Sequence, residues 1–149
     1  MPLTLATIDY NQLNSRQKEN YNFLKVSSIL ADYGFMTMRL TDDWQGADFI
    51  AQHIFGEFLR VQLKSRLTFA KKYEHKGLCV AFPNEGAWYL YMHDELLRRV
   101  LSETKIGESE SWREEGSYSF PSLSRAMLQT LEPYRISSQS GLVRGASAR

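Results

Sequence analysis

Cysteine is nearly absent from this chain: Cys79 is the single thiol in 149 residues. One thiol closes no intramolecular disulfide, so core packing must hold the fold, and a reducing, cytoplasmic setting is the expectation. Cys79 lies inside the apolar run LCVAF, as a buried and inert thiol does. Proline is scarce, at four residues, and no repeat or low-complexity block divides the chain before its last residues. No apolar stretch approaches the roughly 20 residues that span a bilayer, so no membrane partner is expected. The opening MPLTLATIDYNQL lacks a basic start and a long apolar centre, and no signal peptide is expected. Excess charge is missing as well: 18 Lys and Arg stand against 17 Asp and Glu, leaving +1. By net charge alone that counts mildly against nucleic-acid binding. The three histidines, His53, His75 and His93, fall on separate segments without zinc spacing. Neither glycine-rich phosphate loop, G-X-X-X-X-G-K-[ST] or G-X-G-X-X-G, occurs.

What the chain has is hydrophobic periodicity. At 149 residues, 43% hydrophobic and 23% charged, it reads as one domain over residues 1–135. A small, polar tail, 136–149, is expected to be flexible or to pack on a partner. Asn14 with Gln17 forms a capping-box pattern and opens a helix with Phe23, Val26 or Ser27, Leu30 and Ala31 on one stripe. Gly34 suits its left-handed end. FMTMRL (35–40), ADFIAQH (47–53), EFLRVQLKSR (57–66), GLCVAF and AWYLYM read as five strands. TDDWQG reads as a loop and LTFAKKYEHKG as a basic, irregular segment. HDELLRRVLSE gives an amphipathic helix, and SYSFPSLSRAMLQTLEPY a last one with Pro121 in its first turn. The order predicts an α/β (α+β) fold, a mixed central sheet flanked by helices.

In EFLRVQLKSR, Leu59, Val61 and Leu63 face a core, while Arg60, Gln62 and Lys64 share the other face. Asp48 opens the neighbouring strand, so the hairpin places it at the same end of the sheet as Gln62 and Lys64. An acid, an amide oxygen and an ammonium together suit metal-assisted phosphodiester hydrolysis. Mg²⁺ takes oxygen ligands, and a lysine offers a point charge to the transition state. Asp42 and Asp43 are further candidate oxygen donors. The charge is polarised: Arg60, Lys64, Arg66, Lys71, Lys72 and Lys76 cluster, opposite the acidic GESESWREE.

A helix bearing Glu19, then GADF with Asp48, then VQLKS with Gln62 and Lys64, resembles the PD-(D/E)XK nuclease superfamily. The resemblance covers residues 15 to 91. It implies a restriction-endonuclease-like core and an Mg²⁺- (or Mn²⁺-) dependent DNA endonuclease. Group I intron homing endonucleases and Holliday-junction-resolving enzymes are the members it most suggests. It further implies Asp48, Gln62, Lys64 and Glu19 as catalytic residues, with Asp48, Gln62 and Glu19 holding the metal. Arg60, Ser65, Arg66, Lys71, Lys72 and Lys76 would contact DNA. Gln62 departs from the usual acid: its oxygen can ligate a metal but brings no charge, so metal affinity is expected to be weaker unless Glu19 compensates. The rival expectation is a nuclease fold that binds DNA or protein with its catalysis degenerate. One catalytic centre cuts one strand, so double-strand cleavage implies a homo-oligomer, a dimer or tetramer.

Overall fold

The computed structural model describes residues 1–138. The chain forms helix α1 (Ser15–Asp32), strands β1 (Phe35–Trp44), β2 (Ala47–His53), β3 (Phe58–Leu63), β4 (Thr68–Ala70), β5 (Leu78–Asn84) and β6 (Ala87–Met92). Helix α2 (His93–Glu103), strand β7 (Ser117–Ser119), helix α3 (Arg125–Leu131) and strand β8 (Arg135–Ile136) follow. Six strands make one sheet in the order β1-β2-β3-β5-β6-β8. Its β3–β5 pair is parallel and the other pairs are antiparallel. The fold is therefore mixed α+β with a mixed central sheet and flanking helices, as the sequence predicts.

Local signals set α1. Asn14 accepts the Gln17 N–H at 2.9 Å and Gln17 returns the bond to the Asn14 N–H at 2.9 Å. Gly34 lies just beyond the helix at φ +89°, a value that favours glycine. The buried stripe is Asn22, Val26 and Leu30. Asn22 is accepted inside because its amide donates to the Tyr10 hydroxyl at 2.9 Å. Ala31, expected on that stripe, is exposed.

Several segments differ from the sequence reading. TDDW is not a loop: β1 continues through it, and the turn is only Gln45 (φ 54°) and Gly46 (φ 90°). Positive φ at both positions is what a two-residue hairpin needs, and Asp43 accepts the Gly46 N–H at 2.8 Å. LTFA, read as the start of a basic, irregular segment, holds a strand as well. Leu67, Thr68, Phe69 and Ala70 are all buried, and β4 pairs with β7 in a second, two-stranded sheet. The same pairing takes SYS out of the last helix, which starts at Arg125 with Ser124 accepting the Met127 N–H. Pro121 thus precedes α3. Ile136, the first residue of the expected tail, lies in β8, and residues 139–149 of that tail lie outside the described residues.

The sheet divides the core. On one side α1 buries Val26 and Leu30 against Phe49, Ala51, Val61, Cys79, Ala81 and Trp88. On the other, α2, α3 and the small sheet close over Val80, Phe82, Tyr89 and Tyr91. The alternation along β6 follows: Trp88 and Leu90 serve the first cluster, Tyr89 and Tyr91 the second. His93 at the head of α2 is fully buried. Its Nε2 accepts the Ala70 N–H at 3.1 Å and its Nδ1 meets Asp94 at 2.9 Å, so it ties β4 to α2.

Candidate active site

Asp48 is placed by the end of a ladder. Strands β2 and β3 pair from Gln52↔Phe58 to Phe49↔Val61. Past Phe49 they part, and the Leu63 N–H bonds the Asp48 carboxylate at 2.8 Å in place of a backbone carbonyl. Asp48 is half-buried. Burial raises its pKa above the usual 3.8, ahead of the Leu63 N–H and the Lys64 charge, which lower it; Glu19 and Asp43 push it further up. One carboxylate oxygen is thus fixed by Leu63, with the charges of Lys64, Glu19 and Asp43 nearby.

Lys64 follows β3, and its N–H still donates to the Ala81 carbonyl of β5 at 2.9 Å. Its backbone is thus fixed on the central sheet while its ammonium lies 5.7 Å from the Tyr73 ring centre. Gln62, two residues earlier, is half-buried, and its amide nitrogen points to the Leu63 carbonyl at 3.5 Å. Glu19 comes from α1 across the gap. It is well exposed and pairs with Arg39 of β1 at 3.7 Å.

These four side chains line one cleft of about 780 Å³. Residues from α1, β1, β2 and β3 converge there, and the parting of β2 from β3 opens its floor. Arg16, Asn20 and Arg39 line it too. Arg16 and Asn20 share a helix face with Glu19 by their spacing, a signal the sequence carried. Arg39 gave none, because only the β1–α1 packing brings it over; it also donates to Asn20 Oδ1 at 3.2 Å. Asp42 and Asp43 also line the cleft, with Asp43 committed to its turn. Among the described residues, no three His, Cys, Asp or Glu side chains gather as a metal cluster.

The expected DNA contacts lie outside this cleft. Arg60 stacks over Trp44 at 5.5 Å and donates to Gln45 at 3.3 Å. Ser65 lines a separate hollow with Tyr10, Lys25 and Trp88. Arg66 is exposed, and Lys76 is half-buried. Lys71 lies over Trp112 at 5.3 Å and Lys72 over Tyr73 at 5.5 Å. Lys72 therefore shares with Lys64 the Tyr73 ring beside the cleft.

No family model matches the chain, and no curated protein matches its sequence. Among solved structures, a bacterial homing endonuclease, I-Ssp6803I, aligns at 12% identity and a TM-score of 0.45. The alignment covers 91% of this chain and 96% of that one. No helix among the described residues is long and apolar enough to cross a membrane.

Proposed function

We propose that this protein is a metal-dependent DNA endonuclease of the PD-(D/E)XK kind. One observation carries the reading: Asp48, Gln62, Lys64 and Glu19, separated in sequence, line a single cleft where two strands part. The donors are all oxygen, two carboxylates and an amide carbonyl, which fits Mg²⁺ or Mn²⁺. Asp48 would hold the metal through the oxygen not engaged by Leu63, with Gln62 and Glu19 beside it. When bound, the metal would lower the pKa of its water and neutralise charge on the phosphate.

The chain's own residues have separate tasks. The Leu63 N–H keeps the Asp48 carboxylate from rotating away from the cleft. Lys64 presents its ammonium where charge develops on the phosphate oxygens. Arg39 pairs with Glu19 beside the cleft, where that carboxylate would orient a water for attack. Arg16 and Asn20 offer donors to the phosphates flanking the scissile one.

Nicking of supercoiled plasmid, with Mg²⁺, Mn²⁺ or EDTA, tests this directly. Cleavage should require the metal and vanish in Asp48→Ala and Lys64→Ala. Cleavage that persists in either variant, or in EDTA, would sink the assignment. A second reading, a nuclease-like fold that binds DNA without cutting it, draws on Gln62 and the absence of a three-acid cluster among the described residues. DNA binding at low salt with no cleavage under any metal would favour it. A specific DNA sequence or branched structure, as homing and junction-resolving enzymes use, would be tested by competing such substrates against plain duplex.

A further inference from the structure

Lys64 is held in the cleft by something other than a carboxylate. Among the described residues its ammonium enters none of the ion pairs, although Asp48 is near enough to feel its charge. The group that meets it is the Tyr73 ring, whose centre lies 5.7 Å from the ammonium, inside the ~6 Å over which a ring face attracts a cation. A carboxylate partner would fix the lysine but cancel its charge. A ring face fixes it and leaves its N–H donors free for phosphate oxygens. Lys72 lies over the same ring at 5.5 Å, but it is exposed and does not line the cleft.

The ring is itself firmly placed. Tyr73 ends the short turn Lys71–Tyr73 after β4 and is 4% exposed. On both sides of it the chain is pinned to the start of α2: the Ala70 N–H donates to His93 Nε2 at 3.1 Å, and the His75 N–H to Asp94 at 2.8 Å. The His93 and Tyr73 rings meet edge to face, their centres 5.5 Å apart. Leu40, Ala47, Ala70 and Leu78 pack around it. Gly46 approaches from the β1–β2 turn, where an added Cβ would lie 3.3 Å from Tyr73 Cδ1. One buried ring therefore lies against the turn two residues before Asp48 and also under the ammonium of Lys64.

We propose that Tyr73 is a positioning residue, holding the Lys64 ammonium beside Asp48 with its charge unpaired. The role of Lys64 rests on the nuclease reading; the contact with the ring does not. A free lysine side chain samples many rotamers, and only those that bring the ammonium to the reacting phosphate serve the reaction. The ring selects among them before DNA arrives.

The ring current of Tyr73 displaces the ε-methylene resonance of Lys64, which magnetic resonance of the full chain with isotope-labelled lysine reads directly. Lys64→Arg identifies the signal by its loss, and Lys72→Ala separates it from the other cation on the ring. The displacement should be present in the wild type without metal or DNA, persist in Tyr73→Phe and vanish in Tyr73→Leu. Single-turnover cleavage at saturating DNA and Mg²⁺ should fall about tenfold in Tyr73→Leu and recover in Tyr73→Phe, with DNA affinity in Ca²⁺ unchanged in both. Circular dichroism melts establish that each variant is folded. A Lys64 resonance at its ordinary position in the wild type means that Tyr73 only packs the core, and overturns the inference. So does a folded Tyr73→Leu that cuts like the wild type, or a Tyr73→Phe as slow as Tyr73→Leu. If the leucine variant does not fold, the wild-type and Tyr73→Phe spectra decide the contact. A wild type that cuts nothing with any metal yet keeps the displaced resonance confirms the hold on Lys64 and overturns the nuclease reading alone.

Discussion

Asp48 accepts the Leu63 N–H while half-buried beside Lys64, Glu19 and Asp43, and these demands pull stability and activity apart. Its folded pKa is raised, so the fold favours the protonated carboxyl. Below the unfolded value of 3.8 that contribution is fully present; as pH rises through the folded pKa it is lost, and the ionised group becomes a cost. Asp48→Asn keeps an acceptor for Leu63 but no charge. Its melting temperature should therefore exceed wild type at neutral pH, with the gap closing as pH falls toward 3.8. Cleavage should fall by at least ~10²-fold in the same variant, because a neutral amide is a weak metal ligand. Equal melting temperatures at neutral pH would show that burial of Asp48 carries no cost. Gln62 makes the complementary case. Gln62→Glu adds a charged ligand beside Asp48 and should lower the Mg²⁺ needed for half-maximal cleavage by ~10-fold. Isothermal titration with Mg²⁺ alone reads the same change without catalysis, and an unchanged affinity would remove Gln62 from the metal site.

Helix α1 and the hairpins show which elements their own sequences specify. The Asn14–Gln17 box and Gly34 act within a few residues, so they were legible before any fold was known. The β2 and β3 alternation, and with it Asp48, Gln62 and Lys64 at one end of the sheet, was legible for the same reason. What escaped was set at a distance. Thr41, Asp42 and Asp43 are polar enough to read as loop, yet β1 runs through them because Gln45 and Gly46 make the tight turn. Leu67–Ala70 precede Lys71 and Lys72 and read as a basic segment, yet their partner strand is Ser117–Ser119, some fifty residues on. Arg39 joined the cleft only through α1. Gly34 is where local and distant demands meet. Besides its positive φ, an added Cβ would lie 2.8 Å from His53 Nε2. Gly34→Ala should cost ~2 kcal/mol, measured by urea unfolding. Gly86→Ala, also at positive φ but with open space around it, should cost ~1 kcal/mol from backbone strain alone. Equal losses would show that the His53 ring simply moves aside.

Over the whole molecule the near-neutral net charge hides an uneven distribution. The cleft is lined by Arg16, Arg39 and Lys64 against Glu19, Asp42, Asp43 and Asp48, three positive charges against four negative. A cleft with that balance repels phosphate until a divalent cation reverses it. DNA binding should therefore be weak in EDTA and tighten with Ca²⁺, which supplies the charge with little turnover; by linkage, DNA should tighten Ca²⁺ by the same factor. The basic residues Arg66, Lys71, Lys72 and Lys76 sit outside, with Lys72 next to the cleft through Tyr73. If DNA crosses the cleft and continues over that segment, each added phosphate contact steepens the dependence of log affinity on log salt by about 0.9. Replacing Lys71 and Lys72 together by Ala should then flatten that slope by about 2, while the cleavage rate at saturating DNA stays as in wild type, since neither ammonium lines the cleft. A slope unchanged in the double variant would mean that the duplex leaves the cleft in another direction, and that these two lysines serve only to cover the Trp112 and Tyr73 rings.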